Sequence, residues 1–283
     1  NNPAIVGAAE ASAMIDGAAR ASFEPSGAND AVLQLYTSGT TGNPKGAVTT
    51  HGQNVRLYLA YGETLTYGPG DTFLIINPFF HSFGYKAGWL VALMRGVTVL
   101  PHAIFQIDKV LERIERERVT LLPGPPTIFQ SLLAGPYRDH DISSLRVSIT
   151  GAASVPVTLI EEMRAKLGID VVLTAYGLTE TCGVVTMCDA GDDAATIANT
   201  AGRPLAGIEV KLVDEADKSV APGAAGELLV RGPNVMRGYF NDPAATEAAI
   251  DSEGWLRTGD IAVQDGHRNV KLSDRPKDIF IGG

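Results

Sequence analysis

Between residues 31 and 173 one pattern recurs: a short apolar run rich in β-branched residues, then a segment with helical spacing of apolar positions. The predicted strands are Ala31–Tyr36, Phe73–Ile76, Val97–Leu100, Val119–Leu122, Leu145–Ile149 and Val171–Leu173. The predicted helices are His51–Tyr61, Tyr85–Met94, Ile107–Arg118, Pro126–Leu133 and Pro156–Leu167. Strands that alternate with helices build a doubly wound, mostly parallel sheet. We therefore predict an α/β fold that binds ligands at the carboxyl ends of its strands.

After about residue 200 the pattern changes to short strands separated by turn signals. These strands are Ile208–Val213, Gly226–Arg231, Ile261–Val263 and Asn269–Leu272, with one short helix at Pro243–Ile250. Such spacing predicts a small antiparallel, barrel-like β subdomain packed on the first. We divide the chain into a connector or remnant of a preceding subdomain at 1–30, an α/β subdomain at 31–200 and a β subdomain at 201–273.

Composition excludes several classes of protein. The chain has 283 residues with 23 Lys and Arg against 32 Asp and Glu, a net charge of −9, so it lacks the basic surface of a nucleic-acid-binding protein. No apolar run approaches the roughly 18 residues of a membrane span. Two cysteines are too few for a disulfide framework, which favours a reducing, cytoplasmic location.

The strongest local signal is the run from Tyr36 to Gly46, YTSGTTGNPKG. Its small residues allow backbone N–H groups to approach an anion, its hydroxyls add donors and its lysine adds a charge, so we predict a polyphosphate-binding loop. A flexible surface hairpin is the alternative, and the lysine spacing excludes a Walker A loop. The predicted phosphate ligands are Thr37, Ser38, Gly39, Thr40, Thr41, Gly42 and Lys45.

This run resembles the phosphate-loop signature of the adenylate-forming superfamily, which includes acyl-CoA synthetases, aryl-CoA ligases, luciferases and peptide-synthetase adenylation domains. Four further motifs follow in that family's order: YGLTE at 176–180, GELLVRG at 226–232, WLRTGD at 255–260 and DRPKD at 274–278. The resemblance extends from residue 30 to residue 283. It implies the family's truncated large domain, with the start of a hinge at 274–283.

The resemblance implies roles for individual residues in nucleotide binding. Tyr176 would stack on adenine next to Gly177, Thr179 would donate to the α-phosphate, and Glu180 would bind Mg²⁺. The ribose hydroxyls would be bound by Asp260 and Arg275, and the backbone along adenine and the acyl group would be Gly151, Ala152 and Ala153.

The resemblance also assigns the acyl site and the hinge. The substrate-facing residues would be His81, Ser82, Phe83, Gly84 and Gly151, with Lys277 as the hinge. The residues expected to act in catalysis are Lys45, His81, Thr179 and Glu180. Relatives continue into a C-terminal domain that carries a catalytic lysine, so the sequence is expected to be the middle of a longer synthetase.

The implied reaction activates a carboxylic acid with ATP and Mg²⁺ to an acyl-adenylate and then transfers the acyl group to coenzyme A. No carboxylate lies in the run from Phe79 to Gly84, which disfavours amino acids as substrates. The segments at 77–88, 122–133 and 171–180 most resemble actinobacterial FadD-type synthetases that act on the bicyclic propanoate left from steroid degradation. Aryl-CoA ligases, medium- or long-chain fatty-acid CoA ligases and a non-catalytic nucleotide-binding fragment remain alternatives.

Overall fold

A computed structural model describes residues 26–37, 44–79, 81–151 and 155–273. The strands are Ala31–Thr37 (β1), Lys45–Thr50 (β2), Thr72–Ile75 (β3), Thr98–Pro101 (β4), Val147–Ile149 (β5), Val171–Leu173 (β6), Ala175–Tyr176 (β7), Thr186–Met187 (β8), Arg203–Pro204 (β9), Glu209–Val213 (β10), Ala225–Arg231 (β11), Gly238–Tyr239 (β12), Leu256–Gln264 (β13) and Val270–Leu272 (β14).

Helices separate the strands from β2 to β6, as the sequence predicts. The α-helices are His51–Thr64 (α1), Ser82–Gly84 (α2), Val91–Arg95 (α3), Ile107–Glu117 (α4), Pro126–Ala134 (α5), Val157–Leu167 (α6), Ala194–Asn199 (α7) and Pro243–Ala249 (α8). A π-helix spans Tyr85–Leu90, and short 3₁₀ helices span Tyr137–Asp139 and Thr179–Thr181.

The predicted parallel sheet is present. Strand β3 pairs in parallel with β4, and β5 pairs in parallel with β6. The predicted strand Val119–Leu122 is reduced to Leu121, which bridges in parallel to both Phe73 and Val147 and so joins the two pairs. The carboxyl ends of these strands therefore meet at one edge, as the α/β prediction requires.

The helices cover this sheet through apolar stripes. In α4, Val110, Leu111 and Ile114 are fully buried, and these positions are the ones that helical spacing places on one face. The predicted helix Tyr85–Met94 is in fact a π-helix followed by α3. Gly88 has φ −94° and ψ −105°, and a Cβ there would lie 3.3 Å from Ile75 Cδ1, so the helix bends where it meets β3.

The second part of the chain forms the predicted small antiparallel sheet, with strand order β10–β11–β13–β14. Strand β12 does not join it. Gly238 and Tyr239 pair instead with Val48 and Ala47 of β2, in a sheet of order β1–β2–β12. The residues assigned above to two subdomains thus share one sheet, and the division at residue 200 stays a prediction.

Strand β2 is an element that the sequence analysis missed. It pairs antiparallel with β1, and the pair Thr37–Lys45 brackets the predicted phosphate loop. The β-branched run Val48-Thr49-Thr50 was the sequence signal that could have identified this strand.

Among the described residues, no helix combines the length and the apolar character needed to cross a bilayer.

Candidate active site

A cavity of about 1270 Å³ lies at the carboxyl-end edge of the parallel sheet. Its walls come from β2, α1, the π-helix, the 3₁₀ turn at 179–181 and β12. The sequence-predicted residues in these walls are Thr37, Lys45, His81, Ser82, Phe83, Gly151, Tyr176, Gly177, Thr179 and Glu180. The fold therefore brings most of the described candidates to one place.

Tyr239 contacts both Lys45 and Glu180 at the phosphate side. The Tyr239 hydroxyl donates a hydrogen bond of 2.8 Å to Glu180 Oε1, and Lys45 Nζ lies 5.1 Å from the centre of the Tyr239 ring. Burial, with the Glu180 carboxylate next in effect, raises the pKa of Tyr239, so its hydroxyl keeps its proton at neutral pH. We call Lys45, Thr179, Glu180 and Tyr239 the phosphate-side wall.

The backbone around Thr179 and Glu180 is fixed by close packing. A Cβ on Gly177 would lie 2.3 Å from the carbonyl oxygen of Gly183, so only glycine allows the two segments to cross. The Thr181 hydroxyl accepts a 2.9 Å bond from the N–H of Leu178, which closes the 3₁₀ turn. The Met236 N–H donates to the Glu180 carbonyl oxygen at 2.7 Å, which ties this turn to the segment that leads into β12.

Tyr176 and Asp260, both predicted nucleotide ligands, are joined although they lie far apart in the sequence. The Tyr176 hydroxyl donates to Asp260 Oδ2 at 2.6 Å. Tyr176 lines the cavity, whereas Asp260 is buried behind it and is not among the described lining residues. Its neighbour Thr258 does line the cavity.

His81 lies at the cavity edge, where it caps the short helix α2. Its Nδ1 accepts a 3.1 Å hydrogen bond from the Phe83 N–H. Because Nδ1 is an acceptor, the neutral ring carries its proton on Nε2 and can donate it to a ligand oxygen. Gly84 is buried outside the described cavity lining: a Cβ there would lie 2.2 Å from the Pro78 carbonyl oxygen, so glycine serves the packing of this turn.

Another part of the cavity lining is aromatic and was not predicted in full. Tyr58 and Tyr61 of α1 line it with Phe83 and with Ala87 of the π-helix. The two tyrosine rings are 5.4 Å apart, and the Tyr58 hydroxyl donates to the Cys182 carbonyl oxygen at 3.0 Å. The two tyrosines are three residues apart on a predicted helix, which places both side chains on one face, and this spacing could have identified them from the sequence. We call Tyr58, Tyr61, Phe83 and Ala87 the aromatic wall.

Tyr239 is the other functional candidate that the sequence analysis missed, since its position depends on the pairing of β12 with β2. Several predicted site residues lie outside the described residues: Ser38, Gly39, Thr40, Thr41, Gly42, Ala152, Ala153, Arg275 and Lys277. The hinge at 274–283 and most of the connector at 1–30 also lie outside them.

The donor set fits a Mg²⁺ ion shared with a nucleotide. Within the described ranges, no group of three or more His, Cys, Asp or Glu side chains is placed to hold a metal by itself. Mg²⁺ is commonly bound by one or two carboxylates together with substrate phosphates. Glu180 lines the cavity, and the bond from Tyr239 engages one of its two carboxylate oxygens, so the other can serve as a ligand.

The chain is similar to known ligases in sequence and in structure. It is 51% identical over 250 residues to the methyl-dioxo-octahydro-indenyl propanoyl:CoA ligase of Mycobacterium tuberculosis, covering 88% of this chain and 47% of that protein. The fold matches the N-terminal domain of FACL13 from M. tuberculosis with a TM-score of 0.85 and 32% identity, covering 95% of this chain and 67% of that one. It also matches O-succinylbenzoate coenzyme A synthetase of Bacillus subtilis in complex with AMP, with a TM-score of 0.79 and 33% identity, covering 91% and 52%.

The family to which the chain belongs follows from these comparisons together with a family model. The chain spans about half the length of the curated relatives it matches. The AMP-binding enzyme family model matches residues 4–240. The chain therefore belongs to the AMP-binding enzyme family.

Proposed function

We propose that the full-length protein is an AMP-forming acyl-CoA ligase. It joins a carboxylic acid to the AMP portion of ATP with release of pyrophosphate, and then transfers the acyl group to the thiol of coenzyme A with release of AMP. The observation that carries this proposal is one cavity whose lining includes both the phosphate-side wall and the aromatic wall. A nucleotide phosphate and an apolar acid can thus be held in contact.

The phosphate-side wall would supply electrostatic catalysis. When the acid carboxylate attacks the α-phosphate, negative charge moves to the departing pyrophosphate. Lys45 and the Thr179 hydroxyl would stabilise this charge, and Glu180 would hold Mg²⁺, which neutralises charge on the phosphates when bound. These groups are positioned before the ligand binds, because the bond from Tyr239 to Glu180 and the turn at 179–181 are already formed.

The acid would lie between His81 and the aromatic wall. The Nε2 proton of His81 can orient the substrate carboxylate, while Tyr176 would stack on adenine, with its hydroxyl fixed by Asp260. The relatives support ATP, Mg²⁺ and coenzyme A as the ligands, since they are named as CoA ligases and one solved neighbour holds AMP.

We propose a steroid-derived bicyclic propanoate as the acid. The relative named above acts on a propanoate that carries a methyl-dioxo-octahydro-indenyl ring system, and its identity to this chain extends over 88% of the chain. The aromatic wall, with Ser82 beside it, suits a compact ring acid with a few polar atoms better than a straight chain.

The test is a substrate panel with the full-length protein, ATP, Mg²⁺ and coenzyme A. The panel contains the bicyclic propanoate, ferulate, benzoate and fatty acids of three lengths, and AMP and thioester are measured for each. We expect the highest kcat/KM for the bicyclic propanoate and graded rates for neighbouring acids, because a methylene in an apolar pocket discriminates by only about 1–3 kcal/mol.

The outcomes separate the parts of the proposal. A preference for palmitate or ferulate would reject the bicyclic acid and keep the ligase. Binding of AMP without acid-dependent AMP release from ATP would reject the ligase and favour a nucleotide-binding protein.

We also propose a cytoplasmic location, which the two free, buried cysteines support. Reduction-dependent loss of stability would contradict it.

A further inference from the structure

Tyr239 reaches the site through strand pairing. Strand β12 runs antiparallel to β2, so that Tyr239 lies opposite Ala47, two residues from Lys45. The Phe240 N–H donates to the Gly46 carbonyl oxygen at 2.7 Å, and the Tyr239 N–H donates to the Thr246 hydroxyl at 2.9 Å. The tyrosine backbone is therefore held on both sides.

The side chain of Tyr239 makes two contacts with groups of opposite charge. Its hydroxyl donates to Glu180 Oε1 at 2.8 Å, and its ring lies under Lys45 Nζ at 5.1 Å. Lys45 and Glu180 come from different elements, β2 and the 3₁₀ turn, and Tyr239 contacts both. Because an ionised carboxylate oxygen can only accept, the phenol is the donor and the direction of the hydrogen bond is fixed.

A hydrogen bond to one oxygen of a metal-binding carboxylate sets which oxygen is left for the metal. Such outer contacts orient ligands, and their loss commonly costs about tenfold to a hundredfold in metal affinity. A Glu180 side chain without this bond would sample several rotamers, and the phosphate-side wall would lose its preformed geometry.

We propose that Tyr239 is a positioning residue that orients the Glu180 carboxylate for Mg²⁺ and keeps Lys45 in register with it. This inference rests on the proposed function, because Mg·ATP is the ligand that the two charged groups would share. Tyr239 itself acts through Glu180 and Lys45.

The test measures binding by titration calorimetry in the full-length protein, with Mg·ATP and with metal-free AMP as separate probes. We expect Tyr239→Phe to weaken Mg·ATP binding about tenfold and to leave AMP binding within twofold, since AMP lacks the phosphates that share Mg²⁺. Tyr239→Leu, which also removes the ring under Lys45, should weaken Mg·ATP binding further. Tyr137→Phe, at a buried tyrosine that is outside the described cavity lining, is the matched control and should change neither affinity.

A double-mutant cycle gives the decisive comparison. In a Glu180→Ala background, Tyr239→Phe should change Mg·ATP affinity by less than twofold, because the carboxylate that it orients is gone. An equal loss of AMP and Mg·ATP binding in Tyr239→Phe, or additive losses in the cycle, would overturn the inference in favour of a merely structural role. If the wild-type protein binds neither nucleotide, the proposed function fails instead.

Discussion

The two walls of the cavity differ in how their polar groups are arranged. In the phosphate-side wall, Tyr239 links charged groups from two other elements: its hydroxyl donates to Glu180, and its ring lies under Lys45. In the aromatic wall, the Tyr58 hydroxyl is bonded to a backbone carbonyl, the buried Tyr61 hydroxyl has no hydrogen-bond partner among the described residues, and the rest of the four side chains is ring and methyl. Charge that develops during a reaction is stabilised by polar groups that are already oriented, whereas an apolar acid is recognised by a pocket of matching shape. Variants in the two walls should therefore affect different substrates.

The largest effect is expected for Glu180→Gln. The amide has nearly the same shape and can still accept the bond from Tyr239, but it does not carry the charge that binds Mg²⁺. Acid-dependent pyrophosphate exchange should fall by about a hundredfold to a thousandfold, with thermal unfolding unchanged. Glu162→Gln, in an exposed ion pair with Lys166, is the control and should exchange at the wild-type rate. An exchange rate within twofold of wild type in Glu180→Gln would remove Glu180 from the site.

A smaller effect is expected for Lys45→Met, because one of several groups around the phosphates is lost. The kcat/KM for ATP should fall about tenfold to a hundredfold, while the KM for the acid stays within threefold. Lys109→Met, at an exposed lysine paired with Glu112, controls for a general loss of positive charge. A rise in the KM of the acid as large as that of ATP would contradict the separation of the two walls.

Tyr58→Phe tests the aromatic wall: it should lower the stability of the protein without affecting its use of ATP. The change leaves the buried carbonyl of Cys182 without its hydrogen bond, so the free energy of unfolding should fall by about 1–2 kcal/mol in a denaturant titration. The KM for ATP should not change. A nucleotide-specific defect in this variant would mean that the walls are not independent.

The smallest effect is expected for a thiol-modifying reagent, which should leave Cys182 unmodified in the folded protein. Cys182 is buried next to Tyr58 of the aromatic wall. Burial raises the pKa of this thiol to about 11, although nearby Lys86 acts in the other direction. At pH 8 only about one thiol in a thousand is then ionised, so a disulfide reagent should modify Cys182 only after unfolding. Rapid modification in the folded protein would show that the aromatic wall opens.

Much of the fold was predictable, because apolar spacing within each element carries the information. The strand Val171–Leu173 has the predicted bounds, and the helix Ile107–Glu117 ends one residue before its predicted end. The errors occur where tertiary contacts determine the length of a strand or the geometry of a helix. The segment Val119–Leu122 pairs only at Leu121, and the helix from Tyr85 takes π geometry where Gly88 meets β3.

The site was predictable where short motifs carry it and unpredictable where distant segments meet. Thr179, Glu180 and Tyr176 follow one strand and could be found together. Tyr239 could not, since its role depends on the pairing of β12 with β2 and on a side-chain contact to Glu180. No local pattern encodes such a contact.

The two walls are distributed differently along the chain, so sequence changes in them are constrained differently. The phosphate-side wall is assembled from β2, the turn at 179–181 and β12, so exchanging any one piece with a distant relative must preserve contacts to the other two. The aromatic wall lies within one uninterrupted stretch, from α1 to the π-helix. Under the proposed function, acid preference would therefore vary mainly within this one stretch, which the Tyr58 bond to the Cys182 carbonyl joins to the turn at 179–181, whereas activation of the carboxylate would require all three pieces to change together.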